Sequence, residues 1–171
     1  MALDLEFSFD EQTYRKRVNG FDIVGHSHNL MCMIIKLAEK FDEYGGTRIL
    51  AESAEDAFRP IFDDYVQKHG LPAGQERLDM AAEIFDTLGM GIMKSSGTAD
   101  GGEVALTRSH VDEGWKTKFG IADHPLNYFT CGFITAMFGC AFDKPARAYT
   151  VVETVGMAAG NEQSSFSVKA A

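Results

Sequence analysis

Two pairs of short, strand-like segments, each pair joined by a tight turn, constrain the fold of this chain more than any other feature. The paired segments and their turns are residues 90–96 and 103–110 around Asp100-Gly101, and residues 147–157 and 164–169 around Ala159-Gly160-Asn161. Such turn residues between strand-like segments favour β-hairpins. Because parallel strands require a long crossover connection, adjacent hairpins predict an antiparallel sheet.

The remaining chain begins with a strand-like segment, and helical periodicity dominates most of the rest. Leu3 to Phe9 alternate apolar with polar side chains, which is typical of a half-buried strand. Helices are predicted over residues 26–44, 53–69, 74–88 and 125–142. We therefore expect an α+β fold of order β-α-α-α-β-β-α-β-β, with helices on one face of an antiparallel sheet of about five strands. The length of 171 residues fits a single domain over residues 1–171.

Two of the predicted helices carry distinctive stripes. On the first helix, the apolar residues that share one face are Leu30, Ile34, Leu37, Ala38 and Phe41. On the last helix, the small residues that form a stripe are Gly132, Ala136, Gly139 and Cys140. The small side chains predict that another element packs closely against the last helix.

Composition and charge exclude several classes of function. The formal net charge of −9 opposes binding to nucleic acid or to a membrane surface, since both partners need a basic protein surface. The longest apolar stretch, Phe129 to Phe142, is too short to span a bilayer, and the acidic N-terminus is not a signal peptide. Three cysteines indicate reduced thiols rather than a disulfide framework. We expect a soluble, cytoplasmic protein.

Residues 114–169 carry a characteristic layout. Its parts are Gly114-Trp115, Cys131-Gly132, Val151-Val152-Glu153-Thr154, Gly160-Asn161 and Ser164-Ser165-Phe166-Ser167-Val168. This layout resembles the 4-vinyl reductase domain, also called the hydrocarbon-binding domain. The resemblance implies an α+β fold and a cavity for a small organic ligand beside the helix that carries Cys131. Where the family often has two cysteines in the final hairpin, this chain has Gly156 and Ser164, so no metal or redox centre is predicted there.

Cys131 is the first candidate for chemistry. Asn127, Cys131 and Thr135 are spaced four residues apart and form a mildly polar stripe on an otherwise apolar helix. The thiol acts as a nucleophile if a nearby base lowers its pKa, and otherwise it is an inert, buried group. Cys140 points away from Cys131, because the intervening residues make about two and a half helical turns, and it is assigned to the core.

A second candidate lies at the start of the first helix, in His26-Ser27-His28-Asn29. His28 and Cys32 are four residues apart and share a helical face, a spacing that suits a metal site or a nucleophile–base pair. Two ligands do not complete a metal site, and the alternative is helix capping by Ser27 or Asn29 with exposed imidazoles. No metal or cofactor is assigned from the sequence.

Glu153 and several aromatic residues complete the candidates. Glu153 lies in the middle of a strand among apolar neighbours, so its carboxylate requires a partner. The partner is either a histidine or a ligand group, or else Arg108 or Arg147 across the sheet. Trp115 and Tyr128 either line a pocket for an apolar ligand or belong to the core.

These observations support a leading hypothesis of ligand binding. The chain would be a binding domain or accessory protein for a small, partly apolar organic molecule, held between the helix at 125–142, the first helix and the sheet. A different hypothesis is a dimeric scaffold built on the helix with the small-residue stripe. In either case we expect a homodimer.

A small cysteine-dependent hydrolase is the alternative enzyme hypothesis. In it, Cys131 attacks the substrate and His26 or His28 acts as the base. Asn29 or Asn127 then stabilises the oxyanion.

Overall fold

The computed structural model describes residues 3–171, so the first two residues of the predicted domain lie outside the described part. Strands and α-helices in this part are joined by turns and two short 3-10 helices. The strands are β1 (Phe7–Asp10), β2 (Arg15–Val18), β3 (Phe21–Ile23), β4 (Gly91–Thr98), β5 (Gly101–Ser109), β6 (Tyr149–Val155) and β7 (Ser164–Ala170). The α-helices are α1 (His28–Lys40), α2 (Gly46–His69), α3 (Gln75–Thr87), α4 (His110–Phe119) and α5 (Tyr128–Ala141).

The strands form two antiparallel sheets, so the predicted α+β class is confirmed but the single sheet of about five strands is wrong. β4, β5, β7 and β6 form a four-stranded sheet in that order, and it contains both predicted hairpins. β1, β2 and β3 form a separate three-stranded sheet, in which Phe7 and Phe9 are exposed. β2 begins with three basic residues and has no apolar alternation, so periodicity does not predict it.

The main core lies between the four-stranded sheet and the helices α2, α3 and α5. α5 is apolar on nearly all sides and buried along most of its length, as expected of a helix covered by other elements. The ring of Phe133 lies 4.7, 5.1 and 5.0 Å from the rings of Phe58, Phe62 and Phe85. These edge-to-face contacts fill the space between the three helices. No helix among residues 3–171 combines the length and the apolar composition that a bilayer crossing requires.

The small side chains of α5 allow α2 to pack closely within the same chain. A Cβ atom on Gly132 would overlap the carbonyl oxygen of Ala51, and one on Gly139 would lie 2.7 Å from the guanidinium of Arg59. Ala51 and Arg59 both belong to α2. The predicted close approach is therefore made by α2, and this stripe is not free for a second chain.

α2 begins earlier than the sequence predicts, at Gly46 rather than near Ser53. Gly45 adopts a left-handed conformation with φ of 79° and turns the chain between a short 3-10 helix at 42–44 and α2. Because the chain has already turned at this glycine, Ser53 lies inside the helix instead of capping it. Pro60 also lies inside α2.

α4 is missing from the sequence-based prediction, which has no helix between residues 110 and 125. Ser109 begins this helix, since its Oγ accepts a hydrogen bond from the amide of Asp112 at 3.1 Å. Trp115 lies on the buried side of α4, in a second core cluster shared with Met31 and Cys32 of α1. α4 thereby provides the surface on which α1 packs.

α1 is apolar on two faces. The buried face, which packs on α4, consists of Met31, Cys32 and Ile35. The apolar residues predicted to share a face are on the outside, and the exposed ones among them are Leu30, Ile34, Leu37 and Phe41. Both faces show helical spacing, so periodicity alone does not reveal which one meets the core.

Replacing Gly132 with alanine should destabilise the fold, because the added methyl group would push α5 away from the Ala51 carbonyl. Overpacking of this kind costs about 1–3 kcal/mol, which exceeds the gain in helix propensity. Gly25→Ala is the matched control, since nothing lies within 4 Å of a Cβ at that position. Urea titration measures both unfolding free energies, and equal values for the two variants would contradict the close α2–α5 contact.

Candidate functional site

Glu153 of β6 is buried and binds the segment that leads into α5. Its Oε2 accepts hydrogen bonds from the amides of Leu126 and Asn127 at 2.9 and 3.0 Å. Its Oε1 accepts a third from the side-chain amide of Asn127 at 2.7 Å. These bonds fix the start of α5 against the four-stranded sheet.

Asp112 of α4 is a second, fully buried carboxylate. Its Oδ1 accepts a hydrogen bond from the amide of Ala158 at 2.8 Å, and its Oδ2 accepts from the Ser164 hydroxyl at 3.1 Å and from the Asn127 side chain at 3.0 Å. The Ser164 hydroxyl in turn accepts from the amide of Met157 at 2.8 Å. Asp112 therefore ties α4 to the connection between β6 and β7.

Asn127 joins the two carboxylates into one carboxylate network, whose side chains are Asp112, Asn127, Glu153 and Ser164. The side-chain nitrogen of Asn127 donates to both Asp112 and Glu153, which uses both of its hydrogens. Burial raises the pKa of Glu153 above its usual range, and hydrogen bonds from Asn127 offset part of this effect. Polar donors rather than a cation thus compensate the buried carboxylates.

Of the alternatives for Glu153, pairing with Arg108 or Arg147 is not observed, since its hydrogen-bond partners are Leu126 and Asn127. Arg108 pairs with Glu113 at 3.1 Å, and Arg147 pairs with Glu55 at 3.2 Å. The carboxylate therefore has the partners that its position in the sequence requires, and they are side-chain and backbone amide groups just before α5.

Gly156 and Ser164, the two positions at which the resemblance implies cysteines, both border the carboxylate network. Ser164 belongs to it, and a Cβ atom on Gly156 would lie 2.9 Å from Oε1 of Glu153. Position 164 is therefore part of the hydrogen-bonded network, and position 156 lies beside it. Within residues 3–171, no group of three His, Cys, Asp or Glu side chains is arranged to bind a metal ion.

Cys131 borders an open groove of about 380 Å³ between α2, α5 and β6. Residues that line this α2–α5–β6 groove include Arg48 and Ala51 from α2, Cys131 and Thr135 from α5, Val151 from β6, and Arg147 just before β6. The Thr135 hydroxyl donates to the carbonyl of Cys131 at 3.0 Å. The wall opposite α5 is α2, and not the first helix that the sequence suggests.

The thiol of Cys131 is poorly suited to attack a substrate. Burial raises its pKa to about 12, and the nearby carboxylate of Glu153 acts in the same direction. At neutral pH the group is therefore a protonated thiol, whereas nucleophilic attack requires the thiolate. Cys131 therefore lies beside the groove, but its thiol is not activated for nucleophilic attack.

His26 and His28 gather around His110 at the start of α4. Their ring centroids lie 5.4 and 5.8 Å from that of His110. Burial lowers the pKa of His110, and the two neighbouring imidazoles lower it further. In the part of the chain that the structure describes, no hydrogen bond links His26 or His28 to Cys131. The candidate bases and the candidate nucleophile are thus held by different elements.

The start of α1 is organised by helix capping. The Oγ of Ser27 accepts a hydrogen bond from the amide of Leu30 at 3.4 Å. Asn29 is exposed in the first turn. Cys32 is buried, and its thiol donates to the carbonyl of Val111 at 3.7 Å. Cys32 therefore serves the contact between α1 and α4.

Trp115 and Tyr128 lie in and beside the second core cluster rather than along the groove. The Tyr128 hydroxyl is 3.5 Å from Glu39, and burial raises the pKa of this tyrosine to about 12. The same Glu39 carboxylate lies 2.6 Å from Nε2 of His124. These contacts tie the start of α5 to α1.

Asp112 is a member of the network whose role is not evident from the sequence. Ser109 and Asp112 have the spacing of a helix-capping motif, and Val111, Trp115 and Phe119 recur every four residues. Together these two signals indicate a helix at this place. They do not show that a carboxylate on this helix is buried, because its partners lie far away in the sequence.

Comparison with known proteins finds similarity in structure only. No protein-family model matches the chain, and no curated protein matches its sequence. The phenol-responsive sensory domain of the transcription activator PoxR, solved with phenol, matches with a TM-score of 0.74. The match covers 96% of this chain and 84% of that chain, at 13% sequence identity.

A second solved structure is similar over a comparable length. Trafficking protein particle complex subunit 3 from Naegleria fowleri, covalently bound to palmitic acid, matches with a TM-score of 0.52 and 14% identity. This match covers 84% of the present chain and 95% of the other. At such low identities the two likenesses establish a shared α+β fold.

Replacing Glu153 with glutamine should lower the free energy of unfolding by about 2 kcal/mol or more. Both oxygens of Glu153 accept hydrogen bonds. In either orientation, the NH₂ group of the glutamine would therefore face another hydrogen-bond donor. Glu103→Gln, an exposed change in the same sheet, should alter stability by less than about 0.5 kcal/mol. Chemical denaturation of both variants at pH 7 tests this, and similar stabilities would show that the network is dispensable.

Cys131 should react slowly with iodoacetamide in the folded protein. With a pKa of about 12, roughly one thiol in ten thousand is ionised at pH 8, and the rate should rise about tenfold per pH unit. Peptide mapping by mass spectrometry measures the rate at this position, and the urea-unfolded chain provides the reference. A folded-state rate close to that of the unfolded chain would mean that the thiol is activated after all.

Proposed function

We propose that this chain is a small-molecule-binding domain and that it takes up a partly apolar organic compound in the α2–α5–β6 groove. The observation that carries the proposal is the groove itself, which holds about 380 Å³ beside Cys131. Ligand sites are typically concave, mostly apolar and supplied with a few polar groups. Residues of both kinds line the groove: Ala51, Cys131 and Val151 are apolar, and Arg48, Thr135 and Arg147 are polar.

The charged side chains at the rim of the groove limit the charge that a suitable ligand can carry. Arg48 pairs with Glu52 at 2.9 Å, and Arg147 pairs with Glu55 at 3.2 Å. Because acidic neighbours already neutralise both guanidinium groups, the groove offers little net attraction for a strongly anionic compound. It suits a compound with an apolar body and a neutral or weakly charged polar group.

The fold supports the same class of function. The PoxR domain was solved with phenol, and the trafficking subunit was solved covalently bound to palmitic acid. Both compounds combine an apolar body with one small polar group. Together with the layout of residues 114–169, this supports membership of the present chain among the 4-vinyl reductase-like ligand-binding domains.

Binding is favoured over hydrolysis by the state of Cys131. A hydrolase needs a thiolate and a base, but the pKa of this thiol is raised to about 12 by burial. His26 and His28 contact His110 instead of the groove. The cysteine then contributes a polarisable surface to the ligand rather than a covalent step.

Filling the groove should abolish ligand binding. Val151 lines the groove, whereas Val152 is the next residue on β6 and is 54% exposed. Since successive side chains of a strand point to opposite faces, Val151→Trp should block the site and Val152→Trp should leave it open. Phenol and octanol are the probes, since each has an apolar body and a neutral polar group, and saturation-transfer NMR is the measurement.

The expected result is a signal for at least one probe with the wild type and with Val152→Trp, reduced at least fivefold with Val151→Trp. Equal signals from the two variants would place the binding site elsewhere. If neither probe gives a signal with the wild-type chain, the proposed class of ligand is wrong.

A further inference from the structure

The outer face of α1 is a long apolar surface that no other part of the described chain covers. We define it as six residues with their exposed fractions: Leu30 (53%), Met33 (49%), Ile34 (38%), Leu37 (57%), Phe41 (46%) and Tyr44 (70%). The spacing of three and four residues keeps them on one side of α1 and its 3-10 extension. The rings of Phe41 and Tyr44 lie 6.5 Å apart, so the surface continues past the end of the helix.

This surface is larger than a monomer ordinarily exposes. Six large side chains, each about half exposed, present on the order of 700 Å² of mostly apolar area. Contiguous apolar patches above a few hundred Å² mark sites of association. A standard protein interface buries about 800 Å² on each partner, so the α1 outer face matches the size of one side of such an interface.

We propose that the α1 outer face is the interface of a homodimer, in which the α1 helices of two copies pack antiparallel across a two-fold axis. A two-fold axis brings the same patch of both copies together, so one self-complementary face is sufficient. In the antiparallel register, Leu30 of one copy faces Phe41 of the other, and Ile34 faces Leu37. Each helix then has apolar contacts on both sides, which explains why α1 is apolar on two faces.

Charge selects the antiparallel orientation. The first turn of α1 has no acidic residue, whereas Asp42 and Glu43 directly follow its C-terminal end. An antiparallel dimer places Glu43 of one copy near His28 and the positive N-terminal end of the other α1. A parallel dimer would set the acidic ends side by side in a chain whose net charge is already −9.

This interface differs from the one expected from the sequence. The small-residue stripe of α5 is occupied by α2 of the same chain, as the contacts of Gly132 with Ala51 show. The α1 outer face is formed by other residues and is open. The α1 outer face is also separate from the groove, since none of its six residues lines the groove.

Light scattering coupled to gel filtration tests the dimer. The wild-type chain at 1–100 μM should have twice the monomer mass of 18.8 kDa. Leu37→Glu should raise the dissociation constant at least 100-fold and give the monomer mass, and Met33→Glu should do the same independently. Ile121→Glu is the matched control, because Ile121 is a 75% exposed apolar residue outside α1 and its variant should stay dimeric.

Circular dichroism establishes that each variant keeps its helical content. A wild-type monomer at 100 μM would overturn the proposal, including the case in which another protein covers α1. A dimer that persists in both folded α1 variants would also overturn it, because the interface would then lie elsewhere.

Disulfide trapping tests the orientation, in chains whose Cys131 is replaced with alanine. Positions 30 and 41 meet across an antiparallel interface, whereas the two copies of position 30 lie about 16 Å apart along the axis. A mixture of Leu30→Cys and Phe41→Cys chains should therefore form mixed disulfide dimers, and each variant alone should form few. Rapid cross-linking of either variant with itself would contradict the antiparallel arrangement.

Discussion

Two buried carboxylates share one side-chain amide, and the position of α5 depends on this contact. Asn127 donates to both Asp112 and Glu153, and each carboxylate accepts three hydrogen bonds in all. Burying a carboxylate without such partners is strongly unfavourable, so the donors must be present whenever the chain is folded. The carboxylate network therefore couples α4, the start of α5, β6 and the β6–β7 connection into one unit.

The carboxylate network also positions two of the three elements that line the groove, α5 and β6. Asn127 is the residue before α5, and its carbonyl accepts from the amide of Cys131 at 2.8 Å, one turn further on. Glu153 binds the same segment from β6, the strand that carries Val151 into the groove. Structure and proposed function meet here, because the contacts that fix the start of α5 also fix its position relative to β6, and both elements line the groove.

Turn residues and apolar periodicity were sufficient to predict the helices and strands that depend on short stretches of sequence. The two hairpins, α3 and α5 were predicted close to their observed ends, and the α+β class follows from their order. The sheet count, α4 and the outward face of α1 were not predicted, since they depend on which elements meet in space. Asn127 and Glu153 were both candidates, but the hydrogen bond between them was not predicted, because it joins residues far apart in the sequence. The burial of Asp112 was not predicted either, because this residue lies in a polar stretch.

Amide hydrogen exchange tests the central role of the network most directly. The amides of Leu126, Asn127 and Ala158 lie outside α-helices and strands, yet they donate to the two buried carboxylates. If the network holds the fold together, these amides should exchange as slowly as those in the middle of α5, through global unfolding only. Exchange as fast as that of the exposed turn residue Glu162 would show that the network opens independently and does not position α5.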